Sequence, residues 1–136
     1  MKDLNTQKGE VPMATKYKAL VIPVEGPVRE LELGGANDLA VLQEAVGGLI
    51  QAVPLPDFIG DNEQATLYVN EEGKFSGDKP NMRATDFLVP GIGLFWGDYV
   101  AGDAVVAGFD PGKGEHAELP EKVERRVRLV EREAGR

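Results

Sequence analysis

Short apolar runs and alternating apolar–polar segments, separated by glycine and proline, follow one another along most of the chain and predict short strands. Residues 18–24 contain four consecutive apolar residues, which is typical of a strand covered on both faces. Residues 28–33 alternate leucine with glutamate, and the glycine–proline turn before them predicts a hairpin. The other predicted strands are residues 49–55, 66–69 and 103–109, and a return strand that begins at Phe75 after the turn of residues 70–74.

Leucine and valine recur at helical spacing in two segments. The first follows Asn37 and Asp38, either of which can cap a helix, and it ends at Gly47. The second, residues 119–134, has a narrow apolar stripe whose partner is either the chain's own domain or the same helix of a second copy. The stripe consists of Leu119, Val123, Val127 and Val130. A short helix capped by Asn81 is also predicted, up to about residue 88.

Together these elements predict a single α+β domain. We expect a mixed or mainly antiparallel sheet of about five strands, one helix packed on it and an appended C-terminal helix. Residues 1–16 are expected to be a flexible tail, residues 17–110 the core domain and residues 119–134 the C-terminal helix. A chain of 136 residues fits one domain of this kind.

The absence of cysteine restricts the chemistry of the chain. It excludes disulfides, thiolate metal sites and a cysteine nucleophile, and it favours a cytoplasmic location. The first residues are polar and do not resemble a signal peptide, and the apolar runs are too short to span a bilayer. We therefore expect a cytoplasmic protein that does not enter a membrane.

Charge is distributed unevenly. The net charge is −8, but the last 18 residues carry six basic and four acidic side chains, so the rest of the chain is more acidic than the total suggests. Such a body repels phosphate backbones, and we do not expect direct nucleic-acid binding. It suits a basic protein partner, although acidity that serves only solubility is the alternative.

Catalytic and cofactor motifs fail on inspection. The glycine-rich stretch of residues 108–114 lacks the early glycine and the Ser or Thr of a phosphate loop. His116 is the only histidine and Ser76 the only serine, so neither a zinc site nor a serine triad can be argued. We expect no catalytic residues, no metal and no cofactor.

Two groups of residues are candidates for a recognition surface. Asn81 and Arg83 are predicted to lie beside the turn that carries Glu71 and Glu72, where an arginine can pair with a ligand carboxylate or phosphate. The alternative is that Arg83 fixes the loop internally. Trp96 lies in an aromatic segment that is either core or, if exposed, an interface.

Several of these segments, in this order, resemble one family. They are residues 18–27, the Gly47-Gly48 pair with residues 52–55, residues 67–74, residues 80–81 with residues 83–85, and residues 102–108. The family is an uncharacterised domain of unknown function, number 3846, found in actinobacteria, their phages and plasmids. The resemblance covers residues 17–109 and implies a mobile-element origin and a cytosolic setting. It implies no activity and provides no catalytic residues to transfer.

These observations lead to a functional hypothesis. We expect a small non-enzymatic phage or mobile-element protein that acts in the host cytoplasm by binding a host protein, for example in counter-defence or host takeover. The alternatives are a small-ligand or nucleotide-binding module that uses Arg83, and a structural homo-oligomer assembled through residues 119–134.

Overall fold

The computed structural model describes residues 16–55, 65–88, 99–110 and 112–134. Apart from Lys16, the predicted tail lies outside these ranges. The described elements are β1 (Tyr17–Ile22), β2 (Arg29–Leu33), α1 (Asp38–Val46), β3 (Ile50–Pro54), β4 (Ala65–Asn70), β5 (Pro80–Asn81), α2 (Met82–Leu88), β6 (Val100–Ala101), β7 (Ala104–Asp110), β8 (Glu115–Ala117) and α3 (Glu121–Ala134).

Six strands form one antiparallel sheet with the order β2-β1-β7-β4-β3, and the short β8 pairs with the end of β7. Val106 of β7 marks the centre, because it lies opposite Leu20 of β1 and Leu67 of β4. β5 and β6 form a separate two-stranded pair. The predicted α+β class and its mainly antiparallel sheet are confirmed.

The sheet is covered on both faces, because successive strand residues point to opposite sides. Leu20 and Ile22 of β1 belong to the core beneath α2 and α3, whereas Ala19 and Val21 belong to the core beneath α1. The molecule therefore has three layers, with α1 on one side of the sheet and α2 and α3 on the other. The run of apolar residues in β1 is explained by this double coverage.

The C-terminal helix α3 is part of the core. Its apolar stripe packs on the sheet with α2, and all four stripe residues are at most 6% exposed. At its sides, Arg126 donates hydrogen bonds to the carbonyl oxygens of Asp86 and Phe87, and Lys18 Nζ lies 3.0 Å from Glu124 Oε1. The stripe is thus occupied within the chain and offers no exposed surface to a second copy.

Two local predictions differ from the structure. No return strand begins at Phe75, because residues 71–77 form consecutive turns. Gly73 packs closely against β6, because a Cβ at this position would lie 2.8 Å from the Ala101 carbonyl oxygen. The Asp78 amide donates a hydrogen bond to the Gly73 carbonyl oxygen and so closes the turn. The strand β8 was not predicted, since its three residues carry no alternating pattern. Among the described helices, none has the length and apolar character needed to cross a membrane.

Candidate functional site

Asn81 is a structural residue rather than a ligand contact. It is fully buried, and its Nδ2 donates to the carbonyl oxygens of Ile22 at 2.8 Å and Gly102 at 2.9 Å. Its Oδ1 accepts from the Ala84 amide at 2.9 Å, which caps α2. All the polar atoms of the side chain are used inside the fold, so the predicted place of Asn81 on a binding surface is corrected.

Arg83 is half-buried and is bonded within the chain. Its Nη1 donates a hydrogen bond to the carbonyl oxygen of Gly26 in the turn between β1 and β2. The side chain therefore fixes this loop, as the internal alternative predicted, although through a carbonyl oxygen and not through an acid. Since Asn81 is fully buried, it does not join Arg83 in a pair of ligand-binding groups.

Glu71 and Glu72 lie on the exposed turn after β4. The Glu71 amide donates to the Leu49 carbonyl at 2.8 Å, and the Glu72 amide donates to Asn70 Oδ1 at 2.8 Å. The turn is therefore held by its backbone while both glutamate side chains remain in solvent. Phe75, on the same turn, is 93% exposed. Trp96, the remaining predicted candidate, lies outside the described residues.

A hydrogen-bonded chain of three titratable side chains crosses the α1 face of the sheet. His116 Nδ1 lies 2.8 Å from Asp38 Oδ2, and His116 Nε2 lies 2.9 Å from the Tyr68 hydroxyl. When Nδ1 donates to the carboxylate, Nε2 of the neutral ring accepts from Tyr68. These residues come from α1, β4 and β8, which are far apart in the sequence.

Asp38 is held in a charge-stabilising position. Its carboxylate accepts hydrogen bonds from the Gly34 and Gly35 amides, at 2.9 Å and 3.0 Å. Burial alone would raise its pKa, but these amides and His116 outweigh burial, and the pKa of Asp38 lies below its ordinary value. The pKa of the Tyr68 hydroxyl is raised, first by burial and then by the negative charge of Asp38.

An open cleft of about 500 Å³ lies beside this chain. The cleft is lined by Tyr17, Gly34, Gly35, Asp38, Phe109, Gly114, Glu115 and His116. The side chain of His116 is only 13% exposed, and both of its nitrogens are bonded within the protein. The geometry therefore suits binding and positioning at the cleft, and it presents no free imidazole nitrogen for proton transfer. Within the described ranges, no cluster of three or more His, Asp or Glu could hold a metal ion.

Sequence reasoning missed this cluster. The sequence suggests roles for His116 only as a metal ligand or as part of a serine triad, and for Asp38 only as a helix cap. In the structure Asp38 turns back to the Gly34 and Gly35 amides, while Asn37 occupies the cap position without a side-chain hydrogen bond. The available signal was a single histidine in a polar stretch, which does not identify partners 48 and 78 positions away.

The chain belongs to the family described as a domain of unknown function, DUF3846, whose model matches residues 17–131. The resemblance found in the sequence is thereby confirmed. The match also extends past residue 109 into α3, which is consistent with the place of this helix in the core. No curated protein matches the sequence.

One solved structure, titled as the crystal structure of small RNA methyltransferase HEN1, is similar in fold. Its TM-score is 0.54 at 17% sequence identity, over 86% of this chain and 16% of that chain. The chain thus corresponds to a small part of that much longer protein. At this level of identity the likeness concerns the fold alone.

Proposed function

We propose that the chain is a small non-enzymatic accessory protein of a phage or other mobile element that acts in the cytoplasm of an actinobacterial host by binding a host protein. The resemblance of residues 17–109 to a family of actinobacteria, their phages and plasmids supports the origin. All the polar atoms of the Asn81 side chain are used inside the fold, which counts against the ligand-binding alternative, and Arg83 already donates to the Gly26 carbonyl oxygen.

The observation that carries the proposal is the exposed turn after β4. A phenylalanine side chain that is 93% exposed gains nothing from the fold of its own chain, whereas burial against a partner would remove a large apolar area from water. Leu49, 57% exposed, is joined to the same turn through the hydrogen bond from Glu71 to its carbonyl oxygen. Phe75 forms the centre of the proposed contact, and Leu49 is the exposed residue to whose backbone the turn is bonded.

The charge around this centre defines the partner. Glu71 and Glu72 are exposed on the same turn as Phe75, and the chain as a whole is acidic. The turn also carries Lys74, whose Nζ lies 4.5 Å from the centre of the Tyr99 ring. An apolar centre with an acidic rim fits a partner surface with an apolar pocket flanked by lysine or arginine. Charge steers the encounter and the aromatic side chain provides most of the binding free energy.

The test is capture of host proteins by the tagged full chain, followed by titration of the purified captured protein in a calorimeter. Phe75→Ser is compared with Leu129→Ser, a change at another exposed apolar residue, located on α3. We expect Leu129→Ser to bind as the natural chain does and Phe75→Ser to bind at least about tenfold more weakly. A Glu71→Gln/Glu72→Gln variant should mainly slow association and reduce its salt dependence.

Equal binding of all variants would refute the role of the turn. Failure of the natural chain to retain any host protein would refute protein binding as the function. Circular dichroism of each variant establishes that the fold is retained.

A further inference from the structure

The cleft beside Asp38 and His116 combines aromatic rings with carboxylates. Tyr17 and Phe109 provide aromatic rings, and Asp38 and Glu115 provide acidic groups. The described residues that line the cleft include neither lysine nor arginine. The cleft volume of about 500 Å³ lies in the range of small-molecule sites.

The negative charge of the cleft is not neutralised by the lysines that flank Tyr17 in the sequence. Alternation along β1 directs Lys18 to the opposite face, where its Nζ lies 3.0 Å from Glu124. Lys16 does not line the cleft but a neighbouring depression, which Tyr17 also borders and where Lys16 lies among Glu118, Glu121 and Glu124. Among the residues that line the cleft, the charge is that of Asp38, which hydrogen bonds keep ionised, and of the exposed Glu115. Glu115 precedes His116 on β8 and therefore lies at the rim, whereas Asp38 is bonded to His116 inside the cleft. Lys113 is next to Gly114 in the sequence but does not line the cleft.

The hydrogen bonds already made at the cleft restrict the kind of ligand. The Gly34 and Gly35 amides both donate to Asp38, so they are not available to hold an anion. The Asp38 oxygens already accept from these amides and from His116. Asp38 can thus attract a ligand by its charge but has little remaining capacity to accept N–H bonds. A cation without N–H donors does not need such bonds, so the occupied oxygens of Asp38 do not weaken its binding.

We propose that this cleft binds a small alkylated ammonium ion, held beside the aromatic residues Tyr17 and Phe109, with Asp38 supplying the opposite charge inside the cleft and Glu115 adding to it at the rim. Aromatic faces carry negative potential and attract such cations, and a cleft lined by one sign of charge concentrates counter-ions. The site is distinct from the Phe75 turn. Phe109 lies near the C-terminal end of β7, which pairs with the start of β4, whereas the Phe75 turn follows the end of β4, which pairs with the start of β7 near Val105.

The test uses the full chain and two small probes of nearly equal shape. Choline carries a trimethylammonium group, and 3,3-dimethylbutan-1-ol is its neutral isostere. Both are titrated while the backbone amide signals are followed by nitrogen–proton NMR. We expect choline to shift the signals of Gly34, Gly35 and Gly114 in a saturable manner, and the isostere to bind about tenfold more weakly.

Variants separate the charge from the rings. Glu115→Gln removes one carboxylate without touching the hydrogen bonds of Asp38, and Phe109→Leu removes a ring while keeping an apolar side chain. Both should weaken choline binding several-fold. Glu44→Gln, an equally conservative change of an exposed glutamate on α1 that does not line the cleft, should leave choline binding unchanged.

Three results would overturn the proposal: equal affinity for choline and its isostere, shifts scattered over the surface or absent at tens of millimolar, and full binding by both Glu115→Gln and Phe109→Leu. Methylguanidinium is titrated in parallel, and tighter binding of this probe than of choline would overturn the choice of an alkylated ammonium. Because no host protein enters the experiment, its outcome does not depend on the Phe75 contact.

Discussion

Two asparagines at the N-termini of helices differ in burial and in the hydrogen bonds that their side chains make. Asn37 and Asn81 each precede the first residue of a helix. Asn37 is exposed and makes no side-chain capping bond. Asn81 caps α2 and also bonds to carbonyl oxygens of Ile22 and Gly102, so it joins a helix, the end of β1 and the turn after β6. Because Asn81 is fully buried, the groups that it bonds to would have no water to replace it, and this makes the residue important to the fold.

Replacement of Asn81 by alanine should therefore be costly. Asn81→Ala leaves two buried carbonyl oxygens and one amide without their partner, and we expect the free energy of unfolding to fall by about 3 kcal/mol. Asn37→Ala should change it by less than about 0.5 kcal/mol, because no bond is lost. Urea unfolding followed by circular dichroism measures both. Similar losses in the two variants would contradict this account.

The sequence could predict the capping role of Asn81 but not its other bonds. Capping is a local pattern, because the acceptor and the Ala84 amide are three positions apart. The bond to Ile22 joins residues 59 positions apart, and that between Asp38 and His116 joins residues 78 positions apart. Such pairs form only when the strands are arranged in a particular order, and the hydrophobic periodicity of the sequence does not predict that order. The acidic, aromatic cleft was for this reason not predictable.

At the scale of elements, hydrophobic periodicity was informative where an element is long. The stripe of α3 was predicted residue by residue, and all four of its members are buried. Periodicity could not decide which surface the stripe covers. It also gave no signal for β8, whose place is set by close approach: a Cβ on Gly108 would stand 2.6 Å from the Ala117 carbonyl oxygen. Only the assembled sheet shows this contact.

The placement of α3 predicts a contrast between two apolar residues of that helix. Val127 is fully buried and Leu129 is 41% exposed. Val127→Ala removes two methyl groups from the core beneath α2 and α3, and we expect the free energy of unfolding to fall by about 2 kcal/mol. Leu129→Ala should change it by less than about 0.5 kcal/mol. Thermal and urea unfolding of the two variants provide the measurement.

A larger loss of stability for Leu129→Ala than for Val127→Ala would contradict this packing of α3. If Leu129→Ala were the more damaging change, α3 would have to present its other face to the sheet. Light scattering of Val127→Ala at several concentrations adds a control. A variant whose mass and stability depend on concentration would show that Val127 contacts a second copy instead of the chain's own core.

At the scale of the whole molecule, the chain from Asp38 through His116 to Tyr68 links α1, β8 and β4 into one pH-dependent unit. The pKa of Asp38 in the folded state lies below its ordinary value, because the Gly34 and Gly35 amides and His116 outweigh the effect of burial. A carboxyl group of this kind stabilises the fold fully above its pKa in the unfolded chain. That contribution is lost as the pH falls through the lower pKa of the folded state.

A comparison of the natural chain with Asp38→Asn isolates this contribution, since asparagine keeps the shape and cannot ionise. At about pH 7 we expect the variant to be less stable by about 2 kcal/mol, because hydrogen bonds to a charged acceptor are replaced by bonds to a neutral one. The difference should shrink steadily below about pH 4, where the carboxyl of the unfolded chain becomes protonated. Asp86→Asn, at an exposed position on α2, is the matched control and should stay close to the natural chain throughout. A difference between natural chain and Asp38→Asn that is independent of pH would mean that shape, and not charge, makes Asp38 necessary to the fold.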